Sequence, residues 1–203
     1  DLHQPDMIIL PGTKSTIADL RWLRQCGLEA AIHKAADAGT LVFGVCGGYQ
    51  MLGRTVSDPE QVEAAGTTEI LGMGLLEMDT IFLGEKVQAQ TTGVFAGISG
   101  VLSDLNGMSY SGYEIHMGRS EEEMPALAGT GNVYGSYVHG VFDASGISDT
   151  ILKTICAKKG IDLDALETFD ISEYKEHQYD LLADAVRSGL DMEFIYRVLN
   201  REL

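Results

Sequence analysis

The chain is poor in basic residues. Its 14 Lys and Arg stand against 30 Asp and Glu, and the formal net charge is −16. Surfaces that bind phosphate backbones or anionic lipid need clustered Lys and Arg, so neither nucleic acid nor membrane is expected as a partner. Beyond that, the charge speaks for solubility and identifies nothing. Long apolar runs are missing too. None approaches the ~20 residues of a membrane span, and no basic stretch followed by an apolar core marks a signal peptide. Cysteine is scarce: Cys26, Cys46 and Cys156 are odd in number and widely spaced. Without a C-x-x-C pair, neither a disulfide framework nor a metal site is expected. A reduced, cytoplasmic setting fits that usage. Internal repeats and low-complexity tracts are also lacking.

What is present suits an enzyme domain. With 203 residues, 45% of them apolar, the chain can bury the core of one α/β domain, with or without a small appendage. It opens Asp1-Leu2-His3-Gln4-Pro5-Asp6 and enters a strand at Met7. This reads as an excised piece of a longer polypeptide, with proteolysis or signal removal as the alternative.

The most informative stretch runs from Leu41 to Gly53. The β-branched and aromatic run Leu41-Val42-Phe43 reads as a buried strand. It stops at Gly44-Val45-Cys46-Gly47-Gly48, and a helical pattern follows. This is the G-x-Nuc-x-G nucleophile elbow, with Cys in place of Ser. Its glycines allow the sharp turn and the close packing of strand on helix. A thiol at that helix N-terminus is expected to have a lowered pKa and more thiolate. A packing cysteine at a strand end is the competing reading.

Around the elbow, Asp6–Gly12 is a short strand ending in a Pro-Gly turn. Residues 16–38 are helical with a break at Gly27, and Thr40–Val45 is the second strand. Strand, helix, strand, helix in about fifty residues predicts parallel pairing and a doubly wound, mostly parallel sheet flanked by helices. The crossover rule puts Gly12 and Cys46 on the same sheet edge. Ser57–Thr68 reads as a polar loop or short helix. Segments Gly74–Phe82, Val87–Val94 and Ser109–His116 read as an antiparallel addition. Asn132–Val138 is a strand ending at His139. Ser148–Lys159 and Tyr174–Asn200 are helices, the latter divided at Gly189. Residues 160–203 are expected to be a helical extension of the same domain.

A cysteine nucleophile needs a base. Among His3, His33, His116, His139 and His177, the strand-end His139 can reach over the sheet edge to the elbow, with His116 its competitor. The amide of Gly47 is a natural oxyanion donor, and the Gly12 turn can supply a second.

These residues resemble class I, triad-type glutamine amidotransferase domains. Leu10-Pro11-Gly12-Thr13-Lys14-Ser15-Thr16 and Gly44-Val45-Cys46-Gly47-Gly48-Tyr49-Gln50 carry the class. Gly112-Tyr113-Glu114-Ile115-His116-Met117-Gly118-Arg119, Tyr137-Val138-His139-Gly140-Val141-Phe142-Asp143 and the tail Leu181–Arg187 are similar to its cobyric acid synthase branch. The resemblance implies hydrolysis of L-glutamine to glutamate and ammonia through a Cys46 thioester, with His139 as base. It implies Gln50 as a glutamine contact and Arg119 as a partner for the substrate α-carboxylate. It implies no cofactor for this domain. ATP and Mg are expected only in an N-terminal ATP-dependent synthetase domain of the full-length chain, which amidates a corrinoid, adenosylcobyrinic acid a,c-diamide, in cobalamin synthesis. The same domain from cobyrinic acid a,c-diamide synthase or a peptidoglycan-amidating complex is the nearby alternative, and a silent binding module the distant one. One departure stands out. Most triad amidotransferases carry Glu two residues after the catalytic His, and here Val141 stands there. Asp143, Glu114 or His116 is left to orient the His139 ring.

Overall fold

A computed structural model describes residues 2–63, 66, 68–120, 124–144, 146–162 and 171–202, apart from the side chains of residues 85, 119, 120, 171 and 172. The chain forms two compact units, Asp1–Leu163 and Asp164–Leu203.

In the first unit, β1 (Met7–Leu10) and β2 (Leu41–Val45) pair in parallel, with Leu10 opposite Gly44. The link between them is a helix pair, α1 (Thr16–Gln25) and α2 (Leu28–Asp37). Gly27 divides the two at φ 78°, a left-handed value that costs glycine little. Helix α3 (Gly47–Leu52) leaves β2 directly. The chain then builds β3 (Thr55–Ser57), β4 (Glu69–Leu71), β5 (Asp79–Val94) and β6 (Ser109–Ser120). It returns through β7 (Ala128–Thr130), β8 (Val133–Ser136) and β9 (Val138–His139) to α4 (Ile147–Lys159).

The strands make two sheets, ordered β1-β2-β8-β7 and β4-β3-β5-β6-β9. In the first, β1, β2 and β8 are parallel and only the edge strand β7 is antiparallel. Alternate residues of β2 serve opposite faces, as the two-residue period of a strand requires. Val42 packs with Leu20, Ile32, Tyr49 and Leu52, while Leu41 and Phe43 pack with Leu102, Leu105, Ile147 and Ile151. Both faces are covered, which is why this strand is apolar at consecutive positions. The fold is the expected α/β doubly wound sheet with an antiparallel addition.

Two elements differ from expectation. Gly74–Phe82 and Val87–Val94 do not form separate strands; β5 is a single strand of 16 residues. Its pairing with β6 shifts register between Ile81 and Lys86. Such an irregularity interrupts the alternation of side chains without ending the strand. The strand expected at Asn132–Val138 is two strands: β8 belongs to the parallel sheet, and β9, after Tyr137, pairs with β6 of the other.

The second unit contains α5 (Ile171–Gly189) and α6 (Met192–Leu199), with Asp191 capping α6 through the Phe194 amide. No helix among the described residues is long and apolar enough to cross a membrane.

Candidate active site

Cys46 links β2 to α3 with φ 51° and ψ −111°, a backbone conformation that non-glycine residues rarely adopt and that costs energy to hold. Two hydrogen bonds fix it: its amide donates to the Ser136 carbonyl at 2.8 Å, and its carbonyl accepts from the Gln50 amide at 3.0 Å. The glycine at position 48 lets α3 press onto the sheet. A Cβ there would stand 2.1 Å from the Leu10 carbonyl oxygen.

His139 comes from the other sheet, where β9 places it opposite Tyr113 of β6. The two elements meet over the first turn of the chain. A Cβ built on Gly12 would lie 3.1 Å from Cε1 of His139 and 3.4 Å from Cβ of Cys46. Gly12 therefore leaves open the space between sulfur and imidazole. A Cβ on Gly47 would stand 3.1 Å from the amide nitrogen of Thr13, so the Gly12–Thr13 turn lies against the elbow. A cavity of about 680 Å³ opens here, lined by Gly12, Thr13, Cys46, Gln50, His116 and His139 among others.

The electrostatics differ from expectation at Cys46. Burial pushes the Cys46 thiol up, a hydrogen bond from Gly47 opposes this, and the Glu63 carboxylate adds to the rise. Desolvation thus outweighs the helix-end amide, because α3 is short and Cys46 is only 5% exposed. The sulfur lies 3.7 Å from the Ile115 carbonyl, to which the thiol donates. Burial also pushes the His139 imidazole down, helped by His116. The resting site is a neutral thiol beside a neutral ring. Nε2 of His139 is buried with no hydrogen-bond partner among the described residues. The ring stacks on Tyr113 at 5.1 Å and 8°.

The other candidates separate. Gln50 lines the cavity, but its amide is engaged within the protein: Oε1 accepts from the Thr16 hydroxyl at 3.2 Å and Nε2 donates to the Met117 carbonyl at 2.9 Å. His116 lines the cavity, with Nε2 3.4 Å from the Glu114 carboxylate. Asp143 follows on the turn after β9. Its carboxylate lies 3.5 Å from where a Cβ of Gly140 would be, and it does not meet Nε2 of His139. Arg119 has its backbone on β6 opposite Ile81, and its side chain lies outside the described residues. Among the described residues, no group of three His, Cys, Asp or Glu side chains is arranged to hold a metal ion.

Sequence reasoning missed Glu63. Glu63 lines the cavity; one carboxylate oxygen accepts from the Thr16 amide, while Oε2 is buried without a hydrogen-bond partner among the described residues. Burial pushes its pKa up. Asp58 holds this stretch in place by accepting from the amides of Val62 and Glu63 at 2.7 and 3.0 Å. Lys14 and Lys86 line the same cavity. Nothing in the polar run Ser57–Thr68 singles out one acid among several, so only the folded chain identifies it.

Residues 1–147 match the CobB/CobQ-like glutamine amidotransferase domain family. A cobyric acid synthase from Lachnoclostridium phytofermentans is 48% identical over 224 residues, covering 98% of this chain and 43% of that protein. One from Ruminiclostridium cellulolyticum is 44% identical over 218 residues, covering 98% and 42%. The chain thus spans less than half the length of these curated relatives. Among solved structures, a glutamine amidotransferase covers 77% of this chain and 80% of its own, at 17% identity and TM-score 0.47.

Proposed function

The chain belongs to the CobB/CobQ-like glutamine amidotransferase domain family, and from that membership we propose that it hydrolyses L-glutamine to glutamate and ammonia through a thioester on Cys46. The observation that carries this reading is the convergence of Cys46, His139 and Gly12 on one cavity. His139 takes the thiol proton as sulfur bonds to the side-chain carbonyl carbon of glutamine. The oxyanion is met by the Gly47 amide and by the Gly12–Thr13 turn. The C–N bond breaks, and His139 returns the proton to the nitrogen, which leaves as ammonia. Water then gives a proton to His139 and attacks the thioester. The C–S bond breaks, glutamate leaves and Cys46 regains its proton. The chemistry balances with glutamine and water alone.

The charged residues that line the cavity suit the zwitterionic end of an amino acid. Glu63 is the carboxylate on the cavity for the α-ammonium. Lys14 and Lys86, joined on the family resemblance by Arg119, offer cations to the α-carboxylate. In the full-length protein the ammonia goes to an ATP- and Mg-dependent synthetase domain that amidates corrinoid carboxylates. The support for this step is the name and greater length of the relatives.

The test is intact-mass analysis and peptide mapping after incubation with a diazo-ketone analogue of glutamine. A single adduct on Cys46, suppressed by L-glutamine and not by L-glutamate, is the expected result. An unlabelled Cys46, with glutamine hydrolysis also undetectable, overturns the reading.

A further inference from the structure

His139 sits on a slight anchor. Strand β9 is two residues long and lies at the edge of its sheet, with Tyr113 opposite His139 and Glu114 opposite Val138. Backbone pairing fixes the Cα of His139 but not its ring, because the terminal torsion of an imidazole is broad. A carboxylate two residues on could hold the ring by a hydrogen bond, and Val141 offers none. Nε2 of His139 has no hydrogen-bond partner among the described residues. The ring instead lies flat on Tyr113. Directly opposed residues of an antiparallel pair share a face of the sheet. Here the two rings stack with centroids 5.1 Å apart and planes 8° from parallel. Gly112 allows the approach: a Cβ there would stand 2.2 Å from the His139 carbonyl oxygen. Tyr113 is 51% exposed, so its ring adds little to the core.

We infer that Tyr113 is a positioning residue whose ring holds the His139 imidazole in the plane from which it serves Cys46. The inference rests on the reading of Cys46 and His139 as nucleophile and base. A stacked partner resists rotation of the imidazole about its terminal torsion, since turning the ring gives up the parallel contact. A contact on the ring face leaves the nitrogens at the rim clear to exchange protons. Gly12 closes in on that rim at Cε1, where a Cβ would lie 3.1 Å away. The base is thus set by a flat contact on its face rather than by a hydrogen bond at its edge. The aromatic ring of Tyr113 does this, and its hydroxyl has no part. An aliphatic side chain on the same strand position has no flat face to offer.

The experiment measures the rate of Cys46 labelling by the diazo-ketone analogue of glutamine against its concentration, which gives kinact and KI. Attack requires Cys46 to lose its proton, so kinact reads the base. The unaltered chain is compared with Tyr113→Phe, Tyr113→Val and Tyr113→Thr. Tyr113→Phe keeps the ring and is expected to match the unaltered chain within about twofold. Tyr113→Val and Tyr113→Thr keep side chains that suit a strand but lack a flat face. They are expected to lower kinact by about 10-fold, with KI and the melting temperature nearly held. An unchanged kinact in both overturns the inference and leaves the Cys46–His139 pair intact. A Tyr113→Phe as slow as Tyr113→Val also overturns it, since the role would then belong to the hydroxyl. A change in KI alone does the same, by placing Tyr113 against the ligand. Failure of both Tyr113→Val and Tyr113→Thr to fold by circular dichroism would make Tyr113 structural and overturn it too. If the unaltered chain takes no label on Cys46 and hydrolyses no glutamine, the pair itself falls and the inference with it.

Discussion

Cys46 pairs a strained backbone with a buried, protonated sulfur. A thiolate stored at rest would need solvent or a stable cation, and the elbow offers one hydrogen bond from Gly47 against desolvation. Deprotonation is therefore tied to the base. Cys46→Ala is expected to abolish glutamine hydrolysis, measured by glutamate release. Asp143→Asn should cost much less than Cys46→Ala, and equal losses would make Asp143 a third catalytic member; removal of a true orienting acid costs up to about 10⁴ in rate. Glu63→Gln should raise KM for glutamine by about 10- to 100-fold with kcat nearly held, since a charged hydrogen bond to the α-ammonium is lost while the reacting atoms stay in place. A fall in kcat alone would remove Glu63 from substrate binding. The pH dependence has a definite sign. His139 holds its proton less tightly in the folded chain than outside it, so the acid limb of kcat/KM belongs below about 6.5. That Cys46 and His139 line one cavity was legible in the sequence, because glycines flank the one and a strand end carries the other. The protonation state of the thiol was not, since it depends on how much of the chain covers it. Glu63 was not legible because its distinction is a lost hydrogen-bond partner, which only the fold creates.

At the scale of elements, the β2–α3 junction is closely packed against β1. Gly48→Ala would push a methyl group into the Leu10 carbonyl of β1, and backbone at that distance cannot step aside. A loss of about 3 kcal/mol in urea unfolding, or failure to fold, is expected; a loss below about 1 kcal/mol would mean that α3 can ride higher on the sheet than the structure has it. The parallel sheet was legible because its strands are buried on both faces and read as short apolar runs. The five-stranded sheet was less so. Its glycines and charged residues blur the two-residue period, and the register shift in β5 made one strand resemble two. The break between β8 and β9 leaves no mark in Tyr134–His139, because both strands run through the same apolar and small residues. Only pairing with different partners divides them.

Across the whole molecule, burial is concentrated in the first unit. Among the described residues the buried apolar side chains end at Ile151, and α6 contributes none. A chain cut after Leu163 is therefore expected to unfold cooperatively and to keep a reactive Cys46, checked by thermal melting and alkylation. Loss of cooperativity would show that Asp164–Leu203 is needed to complete the core. The molecule also divides in another way, at Tyr137. The sulfur is anchored to the parallel sheet and the imidazole to the five-stranded one, so the span between them measures how the two sheets sit against each other. Bending within either sheet leaves that span nearly unchanged, whereas a small slide of one across the other alters it directly.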